Sequence, residues 1–280
     1  RPSLRLARTK KDAAFLEKEY EARSRSGFDV ELWDATRITK NLPFAWPAVL
    51  ETTPSATADP YRLTHALLHS AADNGALLFD KAGEARIERR PRSVVVHTKR
   101  GPKITARKIV IACGYEAVDH LPIKVVSLSS TYALVTEPLP DENFWYKNSS
   151  FWTTGDPYYY GRTTPDNRVI FGGGDEPFYN PSRRDELLRS KTKKLESELK
   201  KFFPETPLRT DYSWAGTFIE TGDGLPYIGG IKQLPHTLFA LGYGGNGITF
   251  SQLAADILAD LITGRANKDA EIFSFDRTTD

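Results

Sequence analysis

A glycine-rich turn between an apolar strand and an amphipathic helix is the segment of this sequence best suited to chemistry. Residues 237–241 are predicted as a short buried strand, and apolar side chains recur at helical spacing from 248 to 262. The turn contains Gly242, Gly244, Gly245 and Gly247, so a ligand can approach its main chain closely. The amides expected to face outward are those of Asn246, Gly247, Ile248 and Thr249. At the positive end of a helix dipole they would stabilise an electron-rich group.

The spacing of three of these glycines leaves the ligand open. Gly242, Gly244 and Gly247 match G-x-G-x-x-G, the fingerprint of a dinucleotide site, which also needs a second strand and an acidic residue about 20 residues later. After Gly264 only EIFSF and Asp276 could supply these, so a pyrophosphate site is the weaker interpretation. No Lys-Ser or Lys-Thr pair follows the last glycine, which argues against a Walker loop. A turn used only for close packing remains an alternative.

Two segments of this region resemble a known family. GYGGNGITFSQLAADIL at 242–258, preceded by DGLPYIG at 223–229, resembles the C-terminal signature of FAD-dependent oxidoreductases related to D-amino-acid oxidase, glycine oxidase and sarcosine oxidase. KIVIACGYEA at 108–117 is similar to a further flavin-contacting element. The resemblance implies FAD as the cofactor, with the glycine turn beneath the pyrimidine edge of the flavin. It implies cofactor contacts from Gly114, Gly242, Tyr243, Gly244, Gly245, Asn246, Gly247, Ile248 and Thr249.

One element of that family has no counterpart in the sequence. Members begin with a strand, a G-x-G-x-x-G turn and a helix that hold the ADP half of FAD, whereas residues 1–60 contain a single glycine, Gly27. The sequence also opens with Arg1 and contains no Met. We therefore expect it to be a segment of a longer enzyme that lacks the N-terminal ADP-binding glycine motif. Modified residues left out of the sequence are another explanation for the missing Met.

The resemblance and the pattern of elements predict an α/β fold with α+β character. A partial FAD-binding, Rossmann-like domain is interleaved with an antiparallel-sheet substrate domain. The substrate domain takes residues 1–53 and 116–218, with a helix at about 182–203, and the FAD-binding domain takes 54–115 and 219–280. Within these segments we expect PSLRLA at 2–7 as an edge strand, 28–50 as irregular cover with short helix, and ALLF at 76–79 as a buried strand.

Aromatic, alternating segments after residue 116 predict a sheet over the flavin whose inward face lines a substrate pocket. The pocket candidates are Tyr132, Tyr158, Tyr160 and Trp214, with Arg162 as a possible clamp for a carboxylate. Ordinary core packing is the alternative for the aromatic residues. The resemblance implies oxidation of a C–N bond in an amine or amino acid by hydride transfer to the flavin. Phe218 and Ile219 stand where amino-acid oxidases carry a carboxylate-binding arginine, which favours an amine or N-substituted amine.

Composition excludes several other classes of function. The 38 basic and 36 acidic residues give a formal charge of only +2, which provides no general attraction to nucleic acid. Cys113 is the only cysteine and is expected in the core, and the five histidines show no metal-binding spacing. No apolar run approaches the length of a membrane span, and we expect a cytoplasmic protein.

Two alternative functions remain: a non-catalytic remnant with a binding or assembly role, and a nicotinamide-dependent dehydrogenase. The sequence predicts neither the oligomeric state nor an acid or base catalyst.

Overall fold

The computed structural model describes residues 1–139 and 145–277, which form five α-helices and fourteen strands. The helices are α1 (Lys10–Arg25), α2 (Ala35–Asn41), α3 (Pro60–Asp73), α4 (Pro181–Phe202) and α5 (Gly247–Thr263). The strands are β1 (Ser3–Ala7), β2 (Asp29–Trp33), β3 (Ala48–Thr53), β4 (Glu84–Arg90), β5 (Ser93–Thr98), β6 (Lys103–Ala106), β7 (Ile109–Ile111), β8 (Val126–Thr136), β9 (Ser150–Thr153), β10 (Tyr159–Thr163), β11 (Val169–Pro177), β12 (Thr210–Thr221), β13 (Tyr227–Gly230) and β14 (Thr237–Leu241). Short 3₁₀ helices lie at Gly114–His120 and Tyr146–Asn148.

The chain forms two compact units, and each is built from two separate segments. The first unit comprises Arg1–Ala58 and Ser130–Thr217, and the second comprises Asp59–Ser129 and Phe218–Asp280. The assignment of these units to substrate binding and cofactor binding stays a prediction.

An eight-stranded mixed sheet organises the first unit, in the order β12-β8-β11-β10-β9-β1-β3-β2. Strand β1 is antiparallel to β3 and parallel to β9, so it lies inside the sheet and the expected edge strand is wrong. Leu4 and Leu6 on β1 are fully buried, since neighbouring strands and covering elements enclose both. The expectation for 28–50 is correct in its short helix, α2, but the irregular cover is wrong, because β2 and the start of β3 extend the sheet there.

Helix α4 covers one face of this sheet. Asn180 caps its N-terminus by accepting a hydrogen bond from the Arg183 amide at 2.8 Å, and Pro181 takes the first helical position, where no amide partner is needed. Leu195, Leu199 and Phe202 are buried on the same side of the helix. They pack with the sheet residues Tyr159, Phe151 and Phe171, which places this core on the α4 side of the sheet.

The second unit contains two three-stranded sheets. Strands β4, β5 and β6 form an antiparallel meander, whereas the other sheet has the order β13-β14-β7. Helix α5 buries Ala254, Ile257 and Leu258 against the strands β13 and β14, as its helical spacing predicts. Gly264 ends the helix in the left-handed conformation with φ of 77°, which glycine adopts without steric cost.

Helix α3 and the segment after it expose their apolar side chains. Asp59 and Pro60 start the helix as the sequence predicts, but none of its residues is buried. The segment 76–79 is not a strand, and Leu77 and Phe79 are 81% and 68% exposed. The expected buried strand is therefore wrong, because these side chains are exposed and the segment pairs with no described strand.

Other absences hold for the described part of the chain only. Residues 1–139 and 145–277 contain no cluster of His, Cys, Asp and Glu that could hold a metal ion. Within the same ranges, no helix has the length and apolar character needed to cross a membrane. Cys113 is exposed at the start of a 3₁₀ helix, so its expected place in the core is wrong.

Candidate functional site

Parallel pairing of β14 with β7 brings the predicted cofactor residues to one edge of their sheet. Thr237 pairs with Ile109 and Phe239 with Ile111, so the two strands end side by side. Gly114 follows β7, and the glycine turn follows β14. Because ligands of open α/β sheets bind beyond the carboxyl ends of parallel strands, this edge is suited to a ligand.

Gly242 begins the turn, and both its backbone conformation and the space around it favour glycine. Its φ is 81°, and a Cβ added there would lie 2.8 Å from the Thr221 Cγ2 atom. Gly244 has φ of 50°, and its amide donates to the Ile219 carbonyl at 3.1 Å. These contacts fix the turn against the end of β12. In contrast, a Cβ at Gly244, Gly245 or Gly247 would meet nothing within 4 Å, so the outer side of the turn is open.

The start of α5 presents three free amides rather than the four that the sequence predicts. The Asn246 amide donates to the Tyr243 carbonyl at 3.0 Å, so it belongs to the turn. The amides of Gly247, Ile248 and Thr249 have no acceptor among the described residues, and the Asn246 side chain does not cap the helix. These three donors at the positive helix end can stabilise negative charge.

Tyr243 closes the inner side of the turn. Its ring lies 6.3 Å from the ring of Phe250 on α5, centre to centre. Burial raises the pKa of its phenol, although a hydrogen bond with Ser251 acts in the opposite direction. Tyr243 therefore stays protonated at neutral pH and ties the turn to the first turns of α5.

Arg277 holds the segment before β13, a role that no local sequence pattern predicts. Its guanidinium forms two hydrogen bonds to the Asp223 carboxylate, at 2.7 and 3.1 Å. It also donates at 2.7 Å to the carbonyls of Leu225 and Pro226, and it stacks 3.6 Å from the ring centre of Tyr227. The arginine thus fixes the loop that follows Thr221, which in turn contacts Gly242.

Replacing Arg277 should destabilise the protein more at neutral pH than in acid. Hydrogen bonds from Arg277 hold the pKa of Asp223 below its ordinary value. A carboxylate with a depressed folded-state pKa contributes stability above its unfolded pKa, and this contribution is lost as pH falls through the folded-state pKa. We expect Arg277→Gln to lower the free energy of unfolding by about 2 kcal/mol at pH 7. Urea unfolding at pH 7 and pH 3 should show a smaller difference from the natural protein at the lower pH.

Lys232→Gln is the matched control for this prediction. Lys232 also contacts an acidic residue of the C-terminal segment, Asp276, but both side chains are largely exposed. Its loss should cost less than about 0.5 kcal/mol. Equal costs for the two substitutions, or a cost for Arg277→Gln that does not change with pH, would contradict the role given to Arg277.

Strand β10 alternates between the two faces of the first unit's sheet. Tyr159 points into the core beneath α4, so Tyr160 and Arg162 lie on the opposite face. Tyr158 joins them, since its ring lies 5.9 Å from that of Tyr160. Gly172 on β11 lies opposite Tyr160 and leaves room for its ring, because a Cβ at Gly172 would lie 2.6 Å from that ring.

Trp214 lies on the same face, but Tyr132 does not. A Cβ at Gly216 would lie 3.7 Å from the Thr131 methyl, and the Thr131 side chain is near enough to the Tyr160 hydroxyl to lower its pKa, so Gly216 and Trp214 share the face of Tyr160. Tyr132 is 1% exposed in the core, and its hydroxyl donates to the Arg184 carbonyl of α4 at 3.4 Å. Four candidates therefore form one surface, which we call the aromatic face: Tyr158, Tyr160, Arg162 and Trp214. Tyr132 is excluded from it, because neighbouring residues of β8 point to opposite sides.

Arg162 is the cation of the aromatic face. Its Nη1 atom makes a long hydrogen bond of 3.4 Å to the Thr163 carbonyl, and no carboxylate of the described residues forms an ion pair with it. Its guanidinium therefore keeps donors for a ligand. Burial raises the pKa of Tyr160, the charge of Asp175 acts in the same direction, and the nearby Thr131 hydroxyl opposes both.

The segment after α5 does not supply a second half of a dinucleotide site. Residues 265–277 contain turns and no strand, so EIFSF does not form the strand that a nicotinamide site would require. Asp276 contacts Lys232 on the surface. These observations weaken the dehydrogenase alternative based on the glycine turn.

Comparisons with known proteins agree with the resemblance in the sequence. Residues 1–261 match the family described as DAO, FAD dependent oxidoreductase. Gamma-glutamylputrescine oxidoreductase of Escherichia coli K12 is 26% identical over 276 residues, which cover 94% of this chain and 62% of that protein. The chain thus spans less than two thirds of the length of this curated relative.

Two solved structures share the fold of this chain. Glycine oxidase from Geobacillus kaustophilus superposes with a TM-score of 0.86 at 21% identity, over 100% of this chain and 75% of that one. L-proline dehydrogenase from P. horikoshii gives a TM-score of 0.82 at 20% identity, over 98% and 75% of the two chains. The predicted mixed α/β fold is therefore confirmed.

Proposed function

The chain belongs to the DAO family of FAD-dependent oxidoreductases, and from this membership we propose that the protein oxidises the C–N bond of a small amine or amino acid. The predicted cofactor, FAD, is that of the family. The observation that carries the proposal is the start of α5, where three amides without acceptors follow an open glycine turn.

The turn fits the electron-rich edge of a flavin. The open side at Gly244, Gly245 and Gly247 would let a flat ring system approach the main chain, and the amides from Gly247 to Thr249 would donate to it. When bound, FAD supplies the two-electron oxidation of the substrate. The amides and the helix dipole would stabilise the negative charge that accumulates on the cofactor edge, because preorganised donors act where charge develops.

The aromatic face is proposed as the wall that binds the substrate. Its rings, Tyr158, Tyr160 and Trp214, can contact an amine carbon chain or a cationic nitrogen. Arg162 can bind a carboxylate or an amide carbonyl at the far end of the molecule. The Tyr160 phenol is protonated at neutral pH, and burial raises its pKa further, so it can donate a hydrogen bond.

Within this class we propose an extended or N-substituted amine rather than a free α-amino acid. The similarity to gamma-glutamylputrescine oxidoreductase supports this choice. Phe218 and Ile219 also support an amine over a free α-amino acid, because an apolar pair cannot bind an α-carboxylate. The cytoplasmic location also stays a prediction.

An absorbance spectrum of the purified native protein tests the function directly. We expect flavin bands near roughly 370 and 450 nm that bleach when an amine is added without oxygen. The panel should include gamma-glutamylputrescine, putrescine, glycine and L-proline, with the first bleaching fastest. Faster bleaching by glycine or proline would reject the substrate preference alone. A protein that takes up no FAD would reject the enzyme and favour the non-catalytic alternative.

Replacing Arg162 should affect only substrates that carry an acidic group. We expect Arg162→Gln to raise KM for gamma-glutamylputrescine about tenfold or more, because a charged hydrogen bond contributes about 1.5 to 3 kcal/mol. KM for putrescine, which has no carboxylate, should change little. Steady-state oxygen consumption measures both values. Arg183→Gln on α4, which removes an exposed charge, is the control. Equal changes for both substrates would contradict the clamp.

A further inference from the structure

A small cavity in the first unit belongs to neither surface described above. It lies between the end of β1, strand β10 and helix α4, and its volume is about 180 Å³. This is room for about six water molecules. Because Tyr159 points to the core side of β10, the cavity opens on the opposite side of the sheet from the aromatic face.

Arg8 supplies the cavity with a cation that has no acidic partner. One guanidinium nitrogen, Nη1, donates to the Pro157 carbonyl at 2.7 Å, and the group lies 5.5 Å from the ring centre of Tyr159. The other two nitrogens have no acceptor, and no carboxylate forms an ion pair with Arg8, among the residues that the structure describes. A half-buried guanidinium with free donors is well suited to a carboxylate.

Two hydroxyl groups also face the cavity. Tyr159 is 1% exposed, yet its hydroxyl has no hydrogen-bond partner among the described residues. Burial raises the pKa of this phenol, and the Glu198 charge adds to the effect, so the group remains a donor at neutral pH. Thr153 accepts a hydrogen bond from the Tyr159 amide at 2.9 Å, which leaves its own hydroxyl proton available. A hydroxyl that faces a cavity without a protein acceptor can donate to a ligand or to water.

The remaining walls define the charge and shape of a ligand. Lys201 and Glu198 form an ion pair at 2.8 Å, so the net charge of the lining is the single positive charge of Arg8. Trp46 and Phe202 close another side, with ring centres 5.2 Å apart. One net positive charge matches a monoanion, and the aromatic walls match a short apolar group.

We propose that this cavity binds a small monocarboxylate, with the carboxylate on Arg8, Tyr159 and Thr153 and a short apolar group against Trp46 and Phe202. The bound molecule would join β1, β10 and α4, so it would stabilise the first unit. The site does not depend on the proposed oxidation, because none of its residues belongs to the glycine turn or the aromatic face.

Calorimetric titration of the native protein with sodium propionate tests the proposal. We expect saturable binding, no binding of propionamide, and a melting temperature that rises with propionate concentration. Arg8→Gln should weaken binding about tenfold or more, and Tyr159→Phe about two- to tenfold. Arg183→Gln should leave the affinity unchanged, and Arg162→Gln separates this site from a carboxylate on the aromatic face.

Three outcomes would overturn the proposal. Propionate binding that survives Arg8→Gln, or that is lost with Arg162→Gln, would assign the carboxylate to another site. Equal binding of propionamide would show that charge is not recognised, and stronger binding of inorganic phosphate would identify the wrong class of anion. If Arg8→Gln fails to fold, the Tyr159→Phe variant decides, since it keeps the ring and removes only the hydroxyl; unchanged affinity would then reject the site.

Discussion

Gly173→Ala is expected to cost about 2 to 6 kcal/mol of folding free energy, the largest loss that we predict for a single methyl group. Gly173 has φ of 130°, and a Cβ added there would lie 2.3 Å from the Tyr158 carbonyl oxygen. Main-chain atoms of a paired strand cannot move aside as a side chain can, and Gly173 pairs with Tyr159 in the middle of the sheet. Urea unfolding followed by circular dichroism measures the loss.

Gly174→Ala is the matched control for this substitution. Gly174 is also in a left-handed conformation, with φ of 68°, but a Cβ there would meet only the Tyr159 ring, at 3.9 Å. We expect a cost of about 1 to 2 kcal/mol from the backbone conformation alone. Equal losses for the two variants would show that the close approach to Tyr158 does not set the cost.

Gly242→Ala should weaken FAD binding about ten- to hundredfold. The new methyl group would meet the Thr221 Cγ2 atom at 2.8 Å while φ is 81°. The turn would have to shift, which would displace the free amides at the start of α5 from the cofactor. Fluorescence titration of the apoprotein with FAD measures the affinity. Unchanged affinity would contradict the proposed role of the turn.

Thr221→Ser provides a way to separate the two causes of that effect. It removes the methyl group that the new Cβ would strike and keeps the hydroxyl. In the double variant Gly242→Ala/Thr221→Ser, we expect part of the lost affinity to return, with the remainder reflecting backbone strain. Gly222→Ala is the control in the same loop, because its Cβ would meet nothing within 4 Å. No recovery in the double variant would show that the contact with Thr221 is unimportant.

The glycine turn was predictable because its signals are local. A buried strand, four glycines and an amphipathic helix follow one another, and each determines its own structure without distant partners. Only one detail differed: the Asn246 amide is used by the Tyr243 carbonyl, which depends on the path of the turn and not on residue type.

Features that depend on distant partners were not predictable in the same way. Strand β1 was expected at an edge, because no pattern in residues 2–7 reveals that β9 pairs with it. Strand β2 was missed because its alternation is short and polar, and it is recognisable only beside β3. Arg277 has no local signal, since its partners Asp223, Leu225 and Pro226 lie some fifty residues earlier.

The face of the sheet on which each candidate residue lies was only partly predictable from the sequence. Strand alternation placed Tyr158 and Tyr160 on one face, as the structure has them. It could not decide which face of β8 matches which face of β10, because that depends on the order of strands. Tyr132 therefore lies on the opposite side of the sheet from the aromatic face, beneath α4.

The parallel pairing of β1 with β9 has a consequence for the protein while it is being made. Ser3 pairs with Ser150, so the ribosome must synthesise the whole segment between them before β1 has its second neighbour. At about 5 to 20 residues per second, this takes about 7 to 30 seconds. Throughout that time an apolar strand edge can pair with other nascent chains. Slower synthesis in the cold would prolong the exposure, so co-expressed chaperones should improve the yield of folded protein more than a lower growth temperature.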